Sequence, residues 1–376
     1  MLRWSLFSIA VLFLGLGLLT VFRSPDWNVW QLALLAGEFG HWLAMGALTT
    51  LVVAWFTRTS GSAATPLTLL FAACATILLC KPTFEARQVA EFAKIDLDAM
   101  GAPEVKQVPF SFVGWFKRAP NRVPVEMITY AKGLELDFYR AVGRTDAPCV
   151  IAVHGGGWDS GNRSQLSGLN HWLAHQGYAV AAISYRLAPR FPWPAQRDDT
   201  LAAIAYLKAN AAQLGIDASR LVLLGRSAGG QIAESVGYSA HDPAIRAVVG
   251  LYAPSDLRFA YKYARDDDIL KSPGLIRRFA GGGPDVAGPQ FESASAMPQV
   301  TAGSPPTLLV HGELDTLVWH RHSIRLDAVL ERHGVPHVFV SLPWATHAFE
   351  YNLAGPGGQL TTYALDRFLK KVTASR

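Results

Sequence analysis

The sequence has few cysteines, few charges and no long run of charges of one sign. Only three of its 376 residues are cysteine (Cys74, Cys80 and Cys149), which excludes a small domain held together by disulfides. Charged residues make up 17% of the chain, where about a quarter is usual, and the net charge of +5 is not clustered. We therefore expect no nucleic-acid partner, because such a partner requires a dense basic surface.

The sequence also has no internal repeat and no group of His, Cys, Asp and Glu residues at the spacing of a metal site. We expect neither a metal nor an organic cofactor. Half of the residues are hydrophobic and the mean hydropathy is +0.19, so the chain can bury a sizeable core and is not disordered.

The hydrophobic excess lies at the N-terminus. Residues 5–22 and 59–80 are uncharged runs of 18 and 22 residues, and residues 32–56 are apolar except for Glu38 and His41. A helix needs about 20 apolar residues to cross the core of a bilayer. The sequence therefore predicts three transmembrane helices, which form a membrane anchor over residues 1–80 and contact lipid. On this interpretation the chain is a multi-pass membrane protein, and we expect the membrane to be a bacterial inner membrane.

Two features of these runs allow other interpretations. The first run resembles a signal peptide, but the residues at its C-terminal end, 19–23, are too bulky for a cleavage site. Glu38 and His41 lie one helical turn apart and could form a site within the membrane. Because both are close to the end of their run, a position at the membrane interface explains them more simply.

Basic residues flank the three runs on both sides. Arg3 and Arg58 fall on one side of the membrane, and four basic residues on the other: Arg23, Lys81, Arg87 and Lys94. This distribution favours a cytoplasmic C-terminal domain but does not determine the side.

The pattern changes at about residue 101, after a polar, helix-permissive stretch, 81–100, that we interpret as a linker or a surface helix. From there strands and helices alternate, and several strands are continuous apolar runs, as in a parallel sheet covered on both faces. The predicted fold class is α/β, a doubly wound and mostly parallel sheet over residues 101–376, preceded by the three transmembrane helices. Residues 253–304 form a long connection that is either a lid insertion or a solvated loop. The predicted strands are 125–130, 134–139, 149–154, 179–185, 220–225, 247–252, 307–311 and 337–342.

The strongest chemical motif is Gly225-Arg226-Ser227-Ala228-Gly229, which follows a predicted strand and opens a helix. This is the setting of a nucleophile elbow, a turn so tight that only glycine fits on its flanks. Three consecutive glycines, Gly155–Gly157, follow another strand. Their backbone N–H groups, together with that of Ala228, can receive the oxyanion of a tetrahedral intermediate.

The partners of Ser227 follow later strands. Asp315 comes directly after one predicted strand, and His347 comes after the last one. The resulting order of serine, acid and histidine is that of α/β-hydrolases, in which the imidazole carries the proton and the carboxylate orients it. Glu313 remains an alternative to Asp315 as the acid.

These motifs together make residues 101–376 resemble an α/β-hydrolase of the hormone-sensitive-lipase and acetyl-esterase type. The resemblance implies Gly156, Gly157 and Ala228 as the oxyanion donors. Arg226 departs from the family, which usually has an acidic residue before the serine. The motifs that carry the resemblance are 154–158, Tyr185-Arg186-Leu187-Ala188-Pro189, 225–230, Asp315-Thr316-Leu317-Val318 and His347-Ala348-Phe349.

The predicted function is a membrane-anchored serine hydrolase that cleaves carboxylic esters through an acyl-enzyme. The substrate is a small-molecule or lipid-like ester, and Trp158, Phe191 and Trp193 either line a pocket for short acyl chains or pack in the core. The same three catalytic groups would serve an acyltransferase or an amidase or peptidase. A catalytically dead, ligand-binding relative is a further alternative. The sequence determines neither the natural acyl and alcohol groups nor the oligomeric state.

Overall fold

The computed structural model of the protein describes residues 2–58, 64–116 and 121–374. Eight strands form one sheet in the order β1-β2-β4-β3-β5-β6-β7-β8, in which β2 runs antiparallel to both of its neighbours and all other pairs are parallel. The predicted doubly wound, mostly parallel sheet is therefore confirmed. The strands are β1 (Val125–Ala131), β2 (Leu134–Tyr139), β3 (Ala147–Val153), β4 (Ala179–Ile183), β5 (Ile216–Arg226), β6 (Ile245–Leu251), β7 (Thr307–Gly312) and β8 (His337–Leu342).

Thirteen α-helices are described along with these strands, and four of them precede the sheet. The N-terminal helices are α1 (Leu2–Leu18), α2 (Trp27–Glu38), α3 (Gly40–Phe56) and α4 (Ala64–Ala99). The remaining helices are α5 (Ser167–His175), α6 (Ala195–Ala209), α7 (Ala211–Leu214), α8 (Ala228–Ser239), α9 (Leu257–Tyr263), α10 (Ser272–Ala280), α11 (Gly288–Ala294), α12 (Arg321–Arg332) and α13 (Pro356–Val372). Short 3₁₀ helices lie at Phe112–Phe116, Met297–Gln299 and Phe349–Tyr351.

The sheet is covered on both faces because side chains of its central strands alternate between two cores. Val150 of β3 packs with α5, α13 and the second half of α4 on one face, whereas Ile151 packs with α6 and α8 on the other. Both side chains are fully buried. This three-layer arrangement fixes the carboxyl ends of the parallel strands, where the predicted site residues lie.

The N-terminal helices differ from the three predicted spans. Among the described residues only α4 is long and apolar enough to cross a bilayer, and a second span arises only if α2 and α3 are counted as one, although they are bent by 85°. The helix α1 is apolar but has only 17 residues. The described residues therefore do not support the prediction of three transmembrane helices. The bend follows Glu38, whose carboxyl is hydrogen-bonded to the sheet domain, as described below. Residues 59–63, the start of the third predicted span, lie outside the described residues.

The segment predicted as a linker or a surface helix, 81–100, is the second half of α4. Five apolar side chains along one face of this half-helix are buried against the sheet and α13. They are Ala86, Val89, Ala90, Ala93 and Leu97. Near its end, Asp98 pairs with the buried guanidinium of Arg367 on α13, with 2.6 Å between nitrogen and oxygen. The end of α4 is therefore a covering helix of the sheet.

Candidate active site

Ser227 lies at a sharp turn between β5 and α8. Its backbone has φ of 53° and ψ of −124°, a region that L residues rarely adopt, and its N–H donates to the carbonyl of Leu251 at 2.9 Å. A Cβ on Gly225 would collide with the backbone of Gly229, and a Cβ on Gly229 would collide with the carbonyls of Val153 and His154. The two glycines are thus required by close backbone approach on each side of the serine.

His347 and Asp315 are in direct contact. Nδ1 of His347 donates to Oδ2 of Asp315 at 2.6 Å, while the other carboxylate oxygen accepts the N–H groups of Leu317 and Val318 at 2.8 and 2.9 Å. Nε2 of His311 lies 3.3 Å from the same Oδ2. Since Nδ1 is engaged, Nε2 of His347 is the nitrogen left to exchange a proton with Ser227, which lines the same cavity.

The electrostatics of Asp315 favour its charged form. Complete burial by itself would raise the pKa of this carboxyl, but the charges and hydrogen bonds of His347 and His311 outweigh burial and hold the pKa well below its usual range. Glu313, the alternative acid, instead accepts a hydrogen bond from the hydroxyl of Ser341 at 2.7 Å. The structure therefore brings Asp315 to the imidazole and directs Glu313 to another partner.

The glycine loop after β3 lies beside the serine. Gly156 and Gly157 have φ of 118° and 59°, and a Cβ on Gly156 would collide with the carbonyl of Ser160. Gln165 holds the preceding residue by accepting the N–H of Gly155 at 2.7 Å. The positive φ values turn the backbone of this loop towards the cavities at Ser227.

Two cavities meet at Ser227. The first, which we call the aromatic cavity, has a volume of about 180 Å³ and is lined by Trp158, Phe259, Tyr263 and Trp319. Phe259 and Tyr263 belong to α9, within the long connection 253–304, so this connection does cover the site.

The second cavity, which we call the histidine-side cavity, has a volume of about 290 Å³. It is lined by His347, the glycine loop and, from the N-terminal part of the chain, Trp27 and Trp30. Neither tryptophan carries a motif, and nothing in the sequence indicated that a segment 200 residues before Ser227 would reach it.

The three predicted pocket residues have different positions. Trp158 lines the aromatic cavity, stacks on Phe279 with ring centroids 4.3 Å apart and donates through its indole N–H to Gln231. Trp193 is buried behind it, against Phe279 and Ser293, and Phe191 packs near Arg186 and Arg190. Neither Phe191 nor Trp193 is among the residues that line the two cavities at Ser227, and Trp193 has the alternative position, in the core. Trp193 packs in the core beside α10, whereas Phe191 is only half-buried.

Arg226, the residue that departs from the family pattern, forms a buried ion pair with Glu350. Its Nε lies 3.0 Å from Oε1 of Glu350, and both side chains are almost completely buried. The hydroxyl of Tyr252 donates to the same oxygen, and the ring of Tyr252 packs on the imidazole of His347. The pair therefore ties the residue before Ser227 to the loop that carries His347.

We expect Arg226→Met to destabilise the protein by about 3–5 kcal/mol, because it leaves the carboxylate of Glu350 buried without a counter-charge. The double variant Arg226→Met/Glu350→Gln removes both charges and should recover most of that loss. Unfolding in urea with each single variant and the double variant measures the coupling. Additive losses in the double variant would contradict this account of the pair.

Among the described residues no group of three or more His, Cys, Asp and Glu side chains could hold a metal ion.

Comparisons with known proteins agree with this architecture. Residues 136–330, just over half of the chain, match the BD-FAE family. The chain is 32% identical over 248 residues to esterase LipC of Mycobacterium tuberculosis (strain ATCC 25618 / H37Rv), covering 61% of this chain and 60% of LipC. It is 29% identical over 263 residues to the probable carboxylic ester hydrolase LipM of the same strain, covering 66% and 60%. The matches thus span about 60% of the length of these curated relatives.

The fold is also shared with solved structures. That of a bacterial heroin esterase superposes with a TM-score of 0.59 at 24% identity and covers 70% of this chain and 88% of its own. At this identity the likeness concerns the fold alone. The match over residues 136–330 decides the classification: the chain belongs to the BD-FAE family and has an α/β-hydrolase fold.

Proposed function

We propose that the protein is a serine hydrolase that cleaves carboxylic esters through an acyl-enzyme intermediate. The observation that carries this proposal is the strained turn at Ser227, which shares a cavity with the imidazole held by Asp315. The names of the curated relatives, an esterase and a probable carboxylic ester hydrolase, support the same reaction class.

In this mechanism Oγ of Ser227 attacks the ester carbonyl carbon while Nε2 of His347 takes its proton. The N–H groups of Gly156, Gly157 and Ala228 receive the oxyanion, each donor lowering the barrier by about 3–4 kcal/mol. The imidazolium, stabilised by Asp315, then protonates the departing alcohol. Water repeats the sequence on the acyl-enzyme, releasing the acid and restoring Ser227.

A fluorophosphonate probe tests the nucleophile directly, because it reacts with an activated serine and with no other group of this site. We expect one label per chain, at Ser227, and none in Ser227→Ala. Labelling that persists in Ser227→Ala would show that another residue is the nucleophile.

The aromatic cavity favours short acyl chains. The cavity has a volume of about 180 Å³, and the bulky rings of Phe259, Tyr263 and Trp319 in its lining restrict the space for an acyl chain. We expect kcat/KM for p-nitrophenyl acetate and butyrate to exceed that for the palmitate by at least about tenfold, since each misplaced methylene costs about 1–3 kcal/mol. A preference for the palmitate would show that the cavity opens in solution and admits lipid acyl chains.

The proposal includes association with a membrane through the N-terminal helices. The helices α1, α3 and the first half of α4 pack on each other through small residues such as Ala44, Ala47 and Ala75. Their large apolar side chains point outwards; Leu12 and Ile77, for example, are 62% and 70% exposed. Small residues at helix contacts and large apolar ones outside are typical of helices in lipid. Flotation with liposomes tests this, and a full-length protein that stays in the aqueous fraction without detergent would contradict it.

A further inference from the structure

The helix α2 contributes a wall to the active site although it lies outside the region that matches the family. Trp27 and Trp30 stand side by side on this helix, with ring centroids 4.7 Å apart, and both line the histidine-side cavity with Ser227 and His347. Trp30 is 9% exposed and Trp27 is 47% exposed. The cavity is thus closed on this side by two indoles supplied by the N-terminal helices.

The helix is held in place at both ends. Before its start, the guanidinium of Arg23 donates to the carbonyl of Glu313, two residues from Asp315, at 3.0 Å. At its end, the carboxyl of Glu38 accepts the N–H of Gly357 at 2.9 Å and the indole N–H of Trp344 at 3.3 Å. These bonds fix α2 to the two loops that carry the acid and the histidine of the site.

The N-terminus of α13 leaves space for the side chain of Glu38. Gly357 has no Cβ, and one placed there would lie 2.7 Å from Oε1 of Glu38. Asn352 adds a hydrogen bond from its side-chain amide to the carbonyl of Glu38 at 3.0 Å. The contact is therefore a built attachment point for α2.

The chemistry of ester cleavage decides which part of the substrate each cavity holds. The alcohol departs with a proton from the imidazolium, so its oxygen must lie next to His347. His347 lines the histidine-side cavity, whereas the lining of the aromatic cavity does not include it. The alcohol group consequently occupies the histidine-side cavity and the acyl group the aromatic one.

We propose that α2 is the leaving-group wall of the enzyme, and that the natural substrate is an ester whose alcohol has an extended apolar or aromatic face that packs on Trp27 and Trp30. This inference rests on the proposed ester hydrolysis. Across the cavity, Asp159 and Arg278 are paired with each other at 2.9 Å. Their charges cancel, so the site selects the alcohol by its apolar surface and shape and not by its charge.

The test varies the alcohol while the acyl group stays the same. With methyl, hexyl and benzyl acetate, we expect kcat/KM of the full-length protein in detergent to rise from methyl to hexyl and benzyl. In Trp30→Ala and in Trp27→Ala the ratio of hexyl to methyl acetate should fall by about tenfold, the loss expected for a few apolar contacts in a pocket. Hydrolysis of the acetyl-enzyme, followed after the burst of p-nitrophenol from p-nitrophenyl acetate, should be unchanged because the alcohol has already left.

Two further variants make the test specific. Tyr263→Ala, in the aromatic cavity, should change the ratio of butyrate to acetate esters and leave the ratio of hexyl to methyl acetate unaltered. Trp4→Ala, on the exposed face of α1, should change neither ratio. The decisive variant is Trp27→Ala, because the side chain of Trp27 is half exposed and its truncation leaves no large cavity in a core. The inference is overturned if this variant keeps the hexyl-to-methyl ratio of the unaltered protein. Failure of the unaltered protein to cleave any of these acetates would instead overturn the proposed function itself, and the inference with it.

Discussion

Ser227→Ala and His347→Ala should each lower kcat for p-nitrophenyl acetate by about 10⁴- to 10⁶-fold, and the double variant should be little worse than either one. The reason is that the two groups act in one step: the hydroxyl is a poor nucleophile without the imidazole, and the imidazole has no proton to move without the hydroxyl. Steady-state hydrolysis with active-site titration of the unaltered protein provides the measurement. Thermal unfolding should show that the variants remain folded, since neither side chain fills a core.

The matched pair Asp315→Asn and Glu313→Gln separates the two acidic candidates. Asp315→Asn should lose several orders of magnitude, as an amide in this position stabilises the wrong tautomer of His347. Glu313→Gln should keep most of the activity, because its carboxyl is bonded to Ser341 and not to the imidazole. A reversed result would show that the contact between Asp315 and His347 is not the catalytic one.

A chain shortened to begin at Gly101 should aggregate and have no esterase activity. From the position of its motifs alone, the sheet domain is complete without the N-terminal residues. The structure, however, packs the second half of α4 on the sheet, and the shortened chain loses this half-helix. The loss of two of the larger buried side chains there, Val89 and Leu97, costs about 1.5–3 kcal/mol each, against a total stability of about 5–15 kcal/mol.

The same truncation also removes Asp98, which leaves the buried guanidinium of Arg367 without its carboxylate. A chain that begins at Lys81 is the matched control, because it retains the covering half-helix and Asp98. It should give a cooperative unfolding transition and cleave methyl acetate, whereas the chain from Gly101 should give no transition. A soluble, active protein from Gly101 onwards would show that α4 is dispensable for the sheet.

The strands and the candidate catalytic residues could be predicted from sequence because each leaves a local signal. Apolar runs between turns, continuous in several strands and interrupted by polar residues in others, placed all eight strands within a few residues, with 134–139 and 337–342 matching β2 and β8. The glycines around Ser227 likewise reflect backbone collisions that any sequence with this turn must avoid.

The second half of α4 left a signal that distinguishes a covering helix from the predicted linker or surface helix. The buried residues Ala86, Ala90, Ala93 and Leu97 follow the three- and four-residue spacing of an amphipathic helix. Polar residues between them and Pro82 within the helix concealed the pattern. For the N-terminal runs, hydropathy alone indicated more transmembrane helices than the structure supports. It does not show that Glu38 has a hydrogen-bond partner far along the chain.

Contacts between distant segments could not have been inferred. The partnership of Arg226 with Glu350 joins residues 124 positions apart, and no pattern around either residue indicates the other. No sequence pattern indicates the position of Trp27 and Trp30 either. They line the same cavity as His347 because α2 packs on the sheet domain. Aromatic residues near a motif, such as Trp193, were for this reason a poor guide to the pocket.

Glu38 and Gly357, which are joined by a hydrogen bond, lie 319 positions apart in the sequence. The order of synthesis therefore determines when this bond can form. At about 5–20 residues per second, translation of the intervening segment takes roughly 15–60 s. During that time α1 to α4 are complete and emerge or insert first, while the residues that receive Glu38 do not yet exist. Ser227 is made before its histidine, and the histidine before the helix that anchors α2. The nascent chain therefore cannot fix α2 beside Ser227 until α13 has been made.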